Sequence, residues 1–243
     1  NPEDILNRIK IKLPDLETQQ KIVQVLEAWD SCIDKVGKLV KYEKDKLRWL
    51  TYKLVCNKEN TRTEKLCSLA RITTGKKDVN QGYNNGKYPF FTCAKEHTWS
   101  NDYSFDGEAI CIAGNGEIGK SFYYNGKFEA YQRTYVLTNF IISGQYLNYV
   151  IKSLFKEMVE HQKQMSAMPY IKLETLKNFV VPVPDNQEID KIIEVLNDED
   201  DIVSIYENVL YTMDLQKQFL LNHLISGDLD VSNIKLEKGK EQK

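Results

Sequence analysis

The chain has 243 residues, is 42% hydrophobic and 28% charged, and carries a formal net charge of −2. That composition fits a folded protein with a substantial core. No apolar run approaches the ~20 residues that cross a bilayer and no secretory leader pattern is visible, so a membrane partner is excluded and a cytoplasmic location is expected.

Five scattered cysteines (Cys32, Cys56, Cys67, Cys93, Cys111) form no C-x-x-C pair and read as reduced thiols. His97, His161 and His223 lie far apart without a cysteine partner, which argues against a zinc site; no bound cofactor is expected. The charge is uneven. Residues 58–182 hold 16 Lys/Arg against 12 Asp/Glu, a net of +4, so the remaining 17 against 23 give −6. A protein docking on phosphate needs a local positive face rather than a basic whole chain.

In chain order, residues 1–14 contain Ile9-Lys10-Ile11-Lys12-Leu13, an alternating strand pattern. Pro14-Asp15 then opens a long helix over 15–56, with Asp15 placed to cap its first turn. Apolar residues recur at Ile22, Leu26, Trp29, Ile33, Val36, Val40, Leu47, Leu50 and Leu54, a coiled-coil seam interrupted at Glu43. Residues 57–65 read as a linker. Strands are expected at 68–73, 88–93, 109–113, 121–124 and 134–138, with turns at Gly75, Gly82, Asn85-Gly86, Asp106-Gly107 and Asn125-Gly126. A helix is expected over 145–162, a polar loop over 162–168, a short helix near 173–176 and a strand at 179–183. Pro184-Asp185 opens a second long helix that ends at Gly227, and a Lys/Glu-rich tail follows.

The second helix repeats the first at a shift of 170 residues. Its seam is Ile192, Leu196, Val203, Tyr206, Leu210, Met213, Leu220 and Leu224. Leu13-Pro14-Asp15 falls on Val183-Pro184-Asp185, and the strand before each helix also matches. The expected divisions are therefore 1–14, the tail of a preceding globular domain; 15–56, helix one; 57–184, a complete globular domain; 185–227, helix two; and 228–243, a tail. The fold class is α+β: one mixed domain with a strand-rich core, flanked by two long helices that form an antiparallel coiled coil. About 40 residues at 1.5 Å each give a rod of roughly 60 Å, on the order of 17 base pairs.

Gly114-Asn115-Gly116-Glu117-Ile118-Gly119-Lys120-Ser121 satisfies the P-loop pattern. A phosphate cradle needs a helix directly after the loop, and Phe122-Tyr123-Tyr124 reads as a strand. The alternatives are a glycine-rich β-turn, or a loop whose Asn115 and Lys120 region holds a DNA phosphate. No Ser/His/Asp or Cys/His set and no distinct carboxylate pair is evident, so a catalytic centre is not expected. Tyr131, Gln132 and Arg133 suit nucleic acid, because Gln and Arg pair bidentately with adenine and guanine edges. Packed between strands, they could equally be buried hydrogen-bond partners. Lys163, Gln164 and Tyr170 form a second candidate set in the polar loop and its end. Lys76, Lys77 and Lys95 are candidate phosphate contacts or simply solvated lysines.

These motifs resemble the specificity subunits of type I restriction–modification systems. The resemblance rests on Leu13–Ile22 opening the first helix and on Ile72-Thr73-Thr74-Gly75-Lys76. It also rests on Ala130–Leu137 and on Leu176-Lys177-Asn178-Phe179 before the second helix. It implies a non-catalytic protein that reads one half of a bipartite double-stranded DNA target. The helices would set the gap and dock methyltransferase subunits, which bring their own S-adenosylmethionine. A restriction subunit would join through the complex. One complete domain is present, so the chain is expected to be an excerpt, a truncated product or a half-subunit that forms a homodimer. The other readings are a P-loop nucleotide-binding protein built on Gly114–Ser121 and a coiled-coil adaptor without a DNA role.

Overall fold

A computed structural model describes residues 13–56, 61–156, 158–159 and 170–235. The chain divides into two compact units, one over Lys46–Glu199 and one combining Asn1–Asp45 with Asp200–Lys243. Two 41-residue helices, α1 (Leu16–Cys56) and α5 (Asn186–Ser226), contribute to both units.

The first unit carries two sheets. The larger has six strands: β2 (Arg71–Thr74), β3 (Tyr88–Phe91), β4 (Thr98–Ser100), β5 (Phe105–Ala113), β6 (Ser121–Ala130) and β7 (Thr134–Thr138). Their order is β2-β7-β5-β6-β3-β4, and every pairing is antiparallel except β3 with β6. The smaller pairs β1 (Arg62–Lys65) with β8 (Val180–Val183). Short helices α2 (Leu66–Leu69), α3 (Gly144–Val150) and α4 (Leu173–Lys177) complete the unit. α3 runs on as a π-helical stretch, Ile151–Phe155. One core gathers Ile110, Ile112 and Leu137 from the sheet with Tyr146, Leu147, Val150, Ile151 and Phe155 from the helical segment. Val55 of α1 and Ile189, Ile192 and Leu196 of α5 join it. The ends of both long helices are thus part of this core. A second cluster on the opposite sheet residues packs Phe91, Cys111, Phe128, Ala130 and Val136. Burial there pushes the Cys111 thiol far above its usual range.

Several local expectations change. Asn125-Gly126 and Asp106-Gly107 are not turns. They lie inside β6 and β5, where Gly107 opposes Gly126 and Glu108 opposes Asn125. The turn that joins these strands is the glycine-rich Gly114–Lys120 segment. It requires two left-handed residues, which Gly116 (φ 60°) and Gly119 (φ 74°) supply. Residues 68–73 are not one strand. Leu66 and Leu69, three apart, both enter the core, so a helical turn precedes β2. The linker expected at 57–65 contains β1, whose charged residues pair with β8 across the chain; residues 57–60 lie outside the described residues. Beyond Val159 the expected helix, and the whole loop 162–168, fall outside them too.

In the second unit the helices run antiparallel. Asp30 of α1 pairs with Lys217 of α5, and Lys44 with Glu207. Val40, Val203 and Leu224 are buried in its seam. The polar interruptions occupy seam positions as well, for Glu43 is buried. Both helices start on the same device. Asp15 Oδ1 accepts from Thr18 N and Asp185 Oδ1 from Glu188 N, each at 2.9 Å. Gly227 (φ 81°) ends α5, and Asp228 N returns to His223 O at 3.0 Å.

Candidate functional site

The end of β6, a tight turn and β7 form the centre of the site. Tyr131-Gln132-Arg133-Thr134 is a β-turn closed by Thr134 N donating to Tyr131 O at 2.8 Å. Gln132 and Arg133 occupy its two middle positions, and both are exposed. They are therefore not strand-packed hydrogen-bond partners.

Two glycines let neighbouring backbone close on this turn. A Cβ on Gly75 would lie 1.9 Å from Ala130 O, and one on Gly114 would lie 2.5 Å from Arg133 O. Gly75 N donates to Thr134 O at 3.2 Å and Gly114 N to Arg133 O at 3.1 Å. The end of β2 and the start of the β5–β6 loop are thereby drawn against the turn. Between them opens a cleft of about 270 Å³ lined by Thr74, Gly114, Asn115, Gln132, Arg133, Tyr135, Tyr170 and Ile171. Tyr135 Oη donates to Ile171 O at 2.7 Å, which fixes the wall that carries Tyr170. Desolvation, with a smaller contribution from Tyr170, pushes the Tyr135 hydroxyl up, so it remains a neutral donor.

The cleft brings together Asn115, Gln132, Arg133 and Tyr170 of the residues expected from sequence. Tyr131 stands beside it, bridged in parallel to Lys77. Lys77 has a structural task. Its ammonium lies 3.6 Å from Glu129, whose side chain is 1% exposed, and 3.4 Å from Asp102. It also donates to Ser100 Oγ at 3.1 Å. Glu129 accepts from Ser104 Oγ at 2.8 Å and from Ala130 N at 2.9 Å. Lys76 is exposed. Lys95 and Lys120 belong to a separate flank, where the Lys120 ammonium donates to the Lys95 carbonyl and lies 4.8 Å from the Phe122 ring centre. Desolvation holds Lys120 below its ordinary value, partly offset by Glu117. Lys163 and Gln164 lie outside the described residues.

Thr74 and Ile171 were not expected in the cleft, and neither was the role of Asp78. Asp78 Oδ2 accepts from Gln132 Nε2 at 3.2 Å. A polar residue beside a turn gives no local signal for a partner 54 positions away. Among the described residues, no group of three or more His, Cys, Asp or Glu side chains could hold a metal ion. The Gly114–Lys120 loop leads into strand β6 rather than a helix, so it lacks the helix N-terminus on which a P-loop depends. What the arrangement offers is a solvent-facing turn with a bidentate donor fork, an amide, a hydroxyl and an aromatic ring around one recess.

The type I restriction modification DNA specificity domain matches residues 58–217. The type I restriction enzyme EcoDI specificity subunit of Escherichia coli is 37% identical over 136 residues, covering 56% of this chain and 30% of that protein. The chain thus spans about a third of that relative's length. The S subunit of a type I restriction-modification system from M. genitalium superposes with a TM-score of 0.68 at 16% identity, over 86% of this chain and 61% of that one. The HsdS subunit from Thermoanaerobacter tengcongensis gives 0.52 at 19% identity, over 90% and 61%. At these identities the two structures establish a shared fold.

Proposed function

Because the chain belongs to the type I restriction modification DNA specificity domain family, we propose that it is a non-catalytic specificity component whose 57–184 domain reads one half of a bipartite duplex target. The observation that carries this reading is the exposed Gln132-Arg133 turn set beside Thr74, Asn115 and Tyr170 in one cleft. Arg133 can grip guanine O6 and N7, and Gln132 can grip adenine N6 and N7, when the turn enters the major groove. Lys76, Lys95 and Lys120 serve as phosphate contacts that hold the domain in register. Lys77 supports the site from beneath through Glu129.

The helical unit serves as spacer and as platform for adenine methyltransferase subunits, which bring S-adenosylmethionine. A restriction subunit joins the same complex, in the cytoplasm. Exposed Ile202, Ile205, Val209 and Phe219 on α5 support a partner surface, because they repeat at helical spacing on a face that its seam leaves open.

The test is selection of randomised duplex DNA by the full chain co-purified with its methyltransferase. A defined half-site should emerge, and Arg133→Ala should relax it. Equal retention of all sequences at moderate salt would overturn the reading. ATP binding by the unmodified chain, lost in Lys120→Ala, would favour nucleotide chemistry instead.

A further inference from the structure

Resting on the reading of the cleft as a base-contacting surface, we infer that Asp78 fixes the Gln132 amide in the orientation that selects adenine at one position, so that Asp78 is a positioning residue for discrimination. Asp78 is itself firmly placed. It caps the 3-10 helix Val79–Gln81 reciprocally: its Oδ1 accepts from Asn80 N at 3.4 Å, and its own N–H donates to Gln81 Oε1 at 2.8 Å. The preceding residue is tied both to the turn and to the strand before it. Lys77 O accepts from Gln132 N at 3.0 Å, and the Lys77 ammonium faces buried Glu129. Asp78 Oδ2 is left to accept from Gln132 Nε2 at 3.2 Å.

An ionised carboxylate only accepts. It therefore admits the NH₂ end of the Gln132 amide and repels the carbonyl end. One Nε2 hydrogen is used, and Oε1 with the other hydrogen is turned away from Asp78. That acceptor–donor pair matches the N6 donor and N7 acceptor of adenine in the major groove. Guanine presents two acceptors, O6 and N7, and would set its O6 against Gln132 Oε1. The negative charge beside Gln132 also disfavours a DNA phosphate there, so Gln132 meets a base edge. Without Asp78 the amide turns over freely and the preference for adenine is lost.

Four forms of the full chain with its co-purified methyltransferase would be selected against randomised duplexes: unmodified, Asp78→Ala, Asp78→Asn and Gln81→Ala. Asp78→Ala should lower the preference for adenine at one position by about tenfold, within the range of one bidentate base contact. Other positions and the salt dependence should stay unchanged. Asp78→Asn offers a donor as well as an acceptor, can hold the amide either way round, and should relax the preference as well. Gln81→Ala breaks the capping box without touching Oδ2 and should retain the preference. An unchanged preference in Asp78→Ala overturns the positioning while leaving the proposed function intact. Equal relaxation in Gln81→Ala overturns it too, since loop order would then be the cause. An unmodified chain with no base preference overturns both the inference and the reading beneath it.

Discussion

At the scale of single residues, the lysines around the cleft are not equivalent. Lys76 is exposed, whereas Lys77 holds the buried Glu129 carboxylate. Lys76→Ala should weaken binding evenly across DNA sequences and reduce the salt slope by about 1, with the denaturation midpoint unchanged. Lys77→Ala should lower that midpoint as well, because it strips a charge partner from a group sealed inside the sheet. Gly75 is a sharper case. A side chain there collides with the Ala130 carbonyl at 1.9 Å. Gly75→Ala should cost about 3 kcal/mol or more in urea unfolding, because the atoms it meets are backbone and cannot swing away. Gln132 and Arg133 stood out in the sequence because their side chain types can pair with bases, and the structure places both exposed in the middle of one turn. The reason for Gly75, Gly114 and Asp78 was not legible there, because each depends on an approach between segments far apart in the chain.

At the scale of elements, the long helices were legible and the hairpins were not. Heptad spacing and an aspartate at each start are local signals, and both Asp15 and Asp185 cap as the pattern requires. Asn125-Gly126 is an equally local turn signal, yet eight consecutive cross-strand pairs keep it inside β6. Strand β1 gave no apolar pattern at all, since Arg62, Thr63 and Lys65 are exposed and pairing with β8 alone defines it. The caps lead to a pH prediction. Hydrogen bonds from the Thr18 backbone, and then its side chain, hold the Asp15 carboxyl below its ordinary 3.8. A lowered folded-state value means the cap stabilises above that pH and is lost as pH falls through the depressed value. Far-ultraviolet circular dichroism on acid titration should therefore show a shallower loss of helix in Asp15→Ala than in the unmodified chain. At neutral pH, Asp185→Ala should cost roughly 1 kcal/mol.

At the scale of the whole molecule, the proposed division of labour separates reading from assembly. Phe219 and Ile205 are each 60% exposed on α5. A double change of Ile205→Glu and Phe219→Glu should abolish co-purification with the methyltransferase while leaving thermal unfolding within a few degrees of the parent. Arg133→Ala should do the converse, preserving assembly and altering specificity. The most direct test of the central claim is mapping of methylated adenines in DNA from cells that carry the chain and its methyltransferase, with Arg and with Ala at position 133. The account predicts one defined motif for the unmodified chain, and in Arg133→Ala relaxation at every half-site that the 57–184 domain reads, with the spacing unchanged. An identical motif in both, or no defined motif for the unmodified chain, would contradict it.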